Sequence, residues 1–181
     1  MGDFDRQAEI LASLSEFRSN FPTESKEESS YLDIINALEQ FSECLRYLNT
    51  RRSAGAVLDI SKEAGVQDLI YLMLRPWIYD LVPETPTEKI GNRYSIKDFF
   101  IKSLKSVIEV KFVRDESHGK NISKELHDDI ENYRHNPNCE HLIFFIYDPD
   151  SNIPDVAALK RTIEEERLYS GRALRCHLIV P

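Results

Sequence analysis

The sequence predicts an α/β domain, a mixed central sheet flanked by helices, with a helical arm at its N-terminal side. Three observations carry this. Residues 94–101 and 106–113 are rich in aromatic and β-branched side chains and are separated by Lys102-Ser-Leu-Lys105, which reads as a hairpin. Residues 142–147, Leu-Ile-Phe-Phe-Ile-Tyr, form a continuous apolar run, the signature of a strand covered on both faces. Helical periodicities occur between these runs, so the predicted order from residue 53 is helix, three strands, helix, strand, helix, strand.

Taken in order, Phe4, Ala8, Leu11 and Leu14 fall at helical spacing, and Phe21-Pro22 ends that helix. Residues 23–30 read as a polar linker, with Ser29 or Ser30 available as an N-cap. Tyr31, Ile34, Leu38, Phe41, Leu45 and Leu48 step by three and four residues, predicting one helix that packs on its neighbours, self-associates or docks on a partner. Residues 1–52 are thus assigned to a two-helix arm and 53–181 to the main domain. Ser61 is placed to cap a helix that reaches Leu74 and stops before Pro76. Its apolar stripe is Val66, Leu69, Ile70 and Met73; at about 100° per residue Glu63 lies on the margin of that stripe, Asp68 points nearly the other way and Gln67 is intermediate. Two prolines within 77–87 demote that stretch to an edge strand. Residues 114–121 read as a polar loop, and Asn121 or Ser123 opens a helix with Leu126, Ile130 and Tyr133 on its apolar face. A turn over 148–152, a helix over 155–168 and a strand over 173–180 complete the chain.

The hairpin concentrates the chemistry. With a symmetric loop Asp98 sits opposite Glu109, and cross-strand partners have Cβ atoms about 4.5–5.5 Å apart, so two carboxylates repel unless a cation lies between them. Lys111, two residues beyond Glu109, projects from the same face. The other face carries Phe99, Ile101, Ile108, Val110 and Phe112, an apolar surface for helices. One side of the hairpin is predicted to be core and the other to be the site.

Composition removes several classes. The chain has 181 residues, 41% hydrophobic and 30% charged, enough for one buried domain and an appendage. Cys44, Cys139 and Cys176 are widely spaced, which favours a reducing, cytoplasmic setting over a disulfide framework. No apolar run approaches a membrane span, so no membrane partner is expected. The five histidines are scattered and make no zinc pattern. Neither a nucleophile elbow nor a glycine-rich phosphate loop occurs. The net charge of −8 is segregated: between Lys89 and Lys124 nine Lys/Arg face four acids, leaving the rest strongly acidic. A basic segment with an embedded carboxylate pair suits a polyanionic substrate.

The order of helix, strands, Asp98, ten residues, Glu109-Val-Lys111, helix and buried strand resembles the PD-(D/E)XK superfamily, the restriction-endonuclease-like nucleases, over residues 58–181. Within it the chain is most similar to small nuclease domains of bacterial defence and restriction systems. The resemblance implies that Asp98 and Glu109 bind a divalent metal, Mg²⁺ or Mn²⁺, with the Val110 carbonyl as a further ligand, and that Lys111 orients the attacking water. It also implies an acid from the first helix, Glu63, with Gln67 or Asp68 as substitutes. A Gln-x-x-x-Tyr element often follows in the family; here the stretch reads Asp129-Ile-Glu-Asn-Tyr133, so the tyrosine matches and the glutamine does not. The proline that often precedes the motif aspartate is Lys97. The implied activity is metal-dependent phosphodiester hydrolysis, of DNA before RNA, with residues 1–50 serving a homodimer or a protein partner. The competing expectations are a nuclease fold that binds nucleic acid or acts as a scaffold without cutting, and an interaction protein working through its N-terminal helices.

Overall fold

A six-stranded mixed sheet organises the computed structural model: β1 (Leu81–Pro86), β2 (Ile96–Ile101), β3 (Ser106–Phe112), β4 (His141–Tyr147), β5 (Arg167–Tyr169) and β6 (Arg172–Ile179), in the spatial order β1-β2-β3-β4-β6-β5. The structure describes residues 30–50, 58–86, 96–165, 167–169 and 172–181, and Tyr31–Pro181 constitutes one compact unit. The helix predicted over 1–21, nearly all of the linker after it and the break around 51–55 lie outside the described residues. β1, β2 and β3 run antiparallel in succession, β3 pairs parallel with β4 and β4 with β6, and β5 returns antiparallel to β6.

Helices cover both faces. On one, α1 (Tyr31–Glu39), the start of α2 (Phe41–Thr50) and α3 (Glu63–Leu74) bury Ile34, Leu38, Phe41, Val66 and Ile70 against Phe99, Ile108, Val110 and Phe145. On the other, α4 (Glu116–Tyr133) and α5 (Val156–Ile163) bury Ile122, Leu126, Ile130, Leu159 and Ile163 against Val107, Phe144, Ile146 and Leu178. Alternate residues of β3 and β4 therefore point into different cores, which is why β4 is apolar from Leu142 onward and β3 carries apolar residues on both faces beside Glu109 and Lys111. Each fully buried Leu, Ile or Phe contributes about 1.5–3 kcal/mol, and the central strands supply many of them.

Several expectations are corrected. The residues 31–48 predicted as one helix form two, because a tight turn intervenes: Gln40 N–H donates to Ala37 O, and the Glu43 and Cys44 N–H groups both donate to Gln40 O. Both belong to the sheet's own unit, with Ile34, Leu38 and Phe41 at 0% exposure in its core, so the division expected at residue 52 falls before Tyr31. Ser61 does not cap α3. Its hydroxyl bonds Asp59, and Lys62 takes the N-cap position without a side-chain bond. The loop expected over 114–121 is helical from Glu116, because the Asp115 carboxylate accepts the His118 N–H at 2.8 Å and starts α4 early. The helix expected to reach residue 168 ends at Ile163, and the extra strand β5 follows.

Candidate active site

The register of β2 and β3 pairs Phe99 with Ile108 and Ile101 with Ser106 across the symmetric loop, and Lys105 takes a left-handed conformation there (φ 46°). Ladder pairing stops at Phe99. One residue further, Asp98 turns its side chain into the gap and Oδ2 accepts the Val110 N–H at 2.7 Å. The carboxylate thus takes a donor that a regular antiparallel ladder would give to a carbonyl.

Glu109, from the neighbouring position on β3, is only 5% exposed. Its Oε1 accepts the phenolic hydroxyl of Tyr133, the last residue of α4. Burial, the nearby charge of Asp98 and that of Asp129 push the Glu109 carboxyl up to about 8 despite the Tyr133 hydrogen bond, which works the other way. Burial, followed by the charge of Glu63, pushes Asp98 up to about 6, against the Val110 and Gln67 hydrogen bonds, which favour its ionised form. Two neighbouring carboxyl groups that resist ionisation, chiefly because they are buried and then because Glu63 stands near Asp98 and Asp98 near Glu109, have the electrostatics of a cation-binding site.

Lys111 completes the cluster. Its Nζ lies 2.9 Å from Oδ2 of Asp129 on α4, with side chains 20% and 18% exposed. Burial disfavours the ammonium, but the charge and hydrogen bond of Asp129, joined by Glu109 and Asp98, outweigh it and hold the pKa above its usual range. From the opposite layer, Glu63 at the start of α3 reaches the same end of β3, where its Oε2 accepts the Phe112 N–H at 3.4 Å. Gln67 hydrogen-bonds Asp98 from the next turn. A cavity of about 190 Å³ opens beside Asp98, lined by Gln67, Asp68, Tyr71, Pro83 and Phe99. Asp68, expected to face away, therefore stands on the wall of this cavity, together with Pro83 of β1 and Phe99 of β2.

The model of the DpnII-MboI restriction endonuclease (REase) family matches residues 33–171. The chain belongs to this family. No curated protein and no solved structure matches it significantly. Membership implies nuclease activity on DNA, and the restriction-endonuclease-like architecture expected from the hairpin and its sequel is the one found. The matched span includes α1 from residue 33 and all of α2, in keeping with the place of Ile34, Leu38 and Phe41 in the core.

The restriction-endonuclease assignment makes the donor set testable against a metal. Among the described residues no group of three or more His, Cys, Asp or Glu is gathered as a cation cage. Mg²⁺ does not need one, since it is held by one or two carboxylates and keeps several waters. The adjacent Asp98 and Glu109, with elevated pKa values that a cation would relieve, fit that requirement. Val110 lies between Glu109 and Lys111, with its N–H given to Asp98. Asp129, which stands where the family often has glutamine, is not among the residues expected at the site. Its signal was the four-residue spacing to Tyr133, which puts both on one helical face.

Proposed function

We propose that this restriction-endonuclease family member cuts DNA with a Mg²⁺-dependent site built on Asp98, Glu109 and Lys111, in a cytoplasmic bacterial defence system. The observation that carries the reading is the insertion of the Asp98 carboxylate against Val110 N–H at 2.7 Å, beside the buried Glu109. Asp98 and Glu109 would hold the cation with the Val110 carbonyl, and Glu63 or Gln67 would complete the set from α3. Bound there, Mg²⁺ or Mn²⁺ lowers the pKa of a water and neutralises charge on phosphoryl oxygens.

The protein groups supply the rest. The Tyr133 hydrogen bond and burial keep Glu109 from swinging away, and the Val110 bond does the same for Asp98. The Lys111 ammonium has three donors; one goes to Asp129, leaving two to orient a water and meet a phosphate oxygen. The positive balance between Lys89 and Lys124 lies along the same part of the chain and favours a phosphate backbone. Three widely spaced cysteines, Cys44, Cys139 and Cys176, suit a reducing compartment, and no described helix is long and apolar enough to cross a membrane. The N-terminal region, residues 1–50, would serve assembly, as a homodimer or with a protein partner.

The test is cleavage of plasmid DNA by the full chain with Mg²⁺, Mn²⁺ or EDTA, beside calorimetric titration of Mg²⁺. Metal-dependent cutting that is lost in Asp98→Ala and Lys111→Ala, with Mg²⁺ binding lost only in the first, is the expected result. The competing reading, a fold that binds without cutting, is favoured by one observation: Lys111 is already paired with Asp129. It prevails if DNA is bound and never cut. Light scattering of the full chain checks the assembly role of the arm.

A further inference from the structure

Helix α4 touches the motif strand at two points. Asp129 meets Lys111 at 2.9 Å, and Tyr133 meets Glu109. The order is reversed between the elements, 129 with 111 and 133 with 109, as it must be for a helix that crosses back between the parallel strands β3 and β4. The spacing matches as well: four residues of helix rise about 6 Å, and two residues of strand rise about 6.6 Å. A face of α4 can therefore engage successive same-face residues of β3 without distortion of either element. The helix is held to that register by Ile122, Leu126 and Ile130, each no more than 2% exposed.

We propose that Asp129 is a positioning residue for Lys111, fixing the ammonium at a set distance from Glu109 so that it meets the attacking water in one orientation. The inference rests on the reading of Lys111 as part of the cutting machinery. A lysine is a point charge on a flexible four-carbon stem with about 2 kcal/mol of rotamer entropy, so an unguided ammonium would spend most of its time away from the reacting atoms. A single carboxylate at 2.9 Å, four-fifths buried with its partner, restricts the stem and leaves two N–H donors unused by the pair. A glutamine at this position would supply a hydrogen bond but no charge to draw the ammonium in. Outer-shell partners that orient metal ligands are worth about 10- to 100-fold in activity, and the same order is expected for a carboxylate that orients an ammonium.

The experiment compares full-length wild type with Asp129→Ala, Asp129→Asn and Asp129→Glu in steady-state cleavage of duplex DNA with Mg²⁺, beside calorimetric Mg²⁺ titration and thermal melting. Asp129→Ala should lower kcat about tenfold or more while KM and Mg²⁺ affinity stay within about twofold. Asp129→Glu, which keeps the charge, should recover most of the rate, and the isosteric Asp129→Asn should fall between, with an unchanged melt. In a Lys111→Ala background, Asp129→Ala should bring no further loss. The inference is overturned if Asp129→Ala leaves kcat intact, if KM or Mg²⁺ affinity moves in place of kcat, or if Asp129→Glu fails to rescue. Wild type that cuts and Lys111→Ala that does not, with Asp129→Ala indifferent, sinks this inference alone; wild type that never cuts sinks the functional reading and this with it.

Discussion

The hydroxyl of Tyr133 donates to a carboxylate oxygen of Glu109 across 24 residues of sequence, tying the last residue of α4 to the middle of the motif strand. The acceptor is buried, so it has no water to fall back on when the donor is removed. Tyr133→Phe should therefore destabilise the protein by about 1–3 kcal/mol. Because the hydrogen bond favours ionised Glu109, its loss should also shift the acidic limb of the rate profile to higher pH. Urea unfolding and cleavage rates measured across pH check both.

Stability without metal should fall as pH rises. Asp98 and Glu109 have ordinary values of 3.8 and 4.5 and are pushed up to about 6 and about 8. The folded protein thus binds these protons more tightly than the unfolded chain, so their contribution is whole below about pH 4 and is lost as pH climbs through about 8. In EDTA, Tm should decline over that window, and Mg²⁺ should reverse the decline. Glu109→Gln should flatten the dependence and stabilise the metal-free protein at about pH 8 by on the order of 2 kcal/mol, while abolishing cutting. Melting curves across pH, with and without Mg²⁺, decide the matter.

Asp98 has two separable tasks, accepting the Val110 N–H and carrying charge. Asp98→Asn retains an acceptor and loses the charge, so cutting should drop about 100-fold or more with little change in Tm. Asp98→Ala should lose both, adding about 1 kcal/mol of destabilisation. Equal melting of the two variants would show that the hydrogen bond carries no stability.

Gly65 lets the start of α3 approach the turn before it. A Cβ there would stand 1.7 Å from the backbone oxygen of Asp59, a contact that backbone must yield to. Gly65→Ala should cost about 1–3 kcal/mol. It should also weaken Mg²⁺ binding, because Glu63 and Gln67 reach the site from the same turns of α3. Thermal melting and calorimetry of this variant report the two effects separately.

Phe41 is fully buried against Phe145, with ring centroids 4.8 Å apart. Phe41→Ala should destabilise the sheet domain by about 3–5 kcal/mol, and removal of residues 1–50 should abolish folding. A well-folded, active truncation at residue 50 would contradict the placement of α1 and α2 in the core. Circular dichroism and cleavage by the truncated chain provide the check.

Much of the hairpin was legible in the sequence because its loop is short. Four residues between two β-rich runs leave little freedom of register, and the pairs from Phe99–Ile108 to Ile101–Ser106 follow the count of a symmetric loop, although the ladder ends before Asp98. The helix boundaries were less legible. Asp115 captures His118 N–H and opens α4 inside a stretch that composition marks as loop. Gly119 is tolerated in that helix where the Asn152 backbone passes close by, a fact written nowhere near it in sequence. The helix predicted as an arm was placed outside the domain because its apolar stripe reveals that it packs, but not on what.

The sequence by itself determined the elements whose signals are local: the β-hairpin, the buried strand β4, and the motif Asp98, Glu109 and Lys111. Tertiary structure alone decided what those groups touch: Asp129 on Lys111, Tyr133 on Glu109, Gln67 on Asp98, and α1 in the core. The physical reason lies in range. Periodicity and turn chemistry act over a few residues and leave their trace in composition, whereas an ion pair or a buried hydroxyl depends on which helix the crossover lays over which strand, a choice settled by packing of both faces at once.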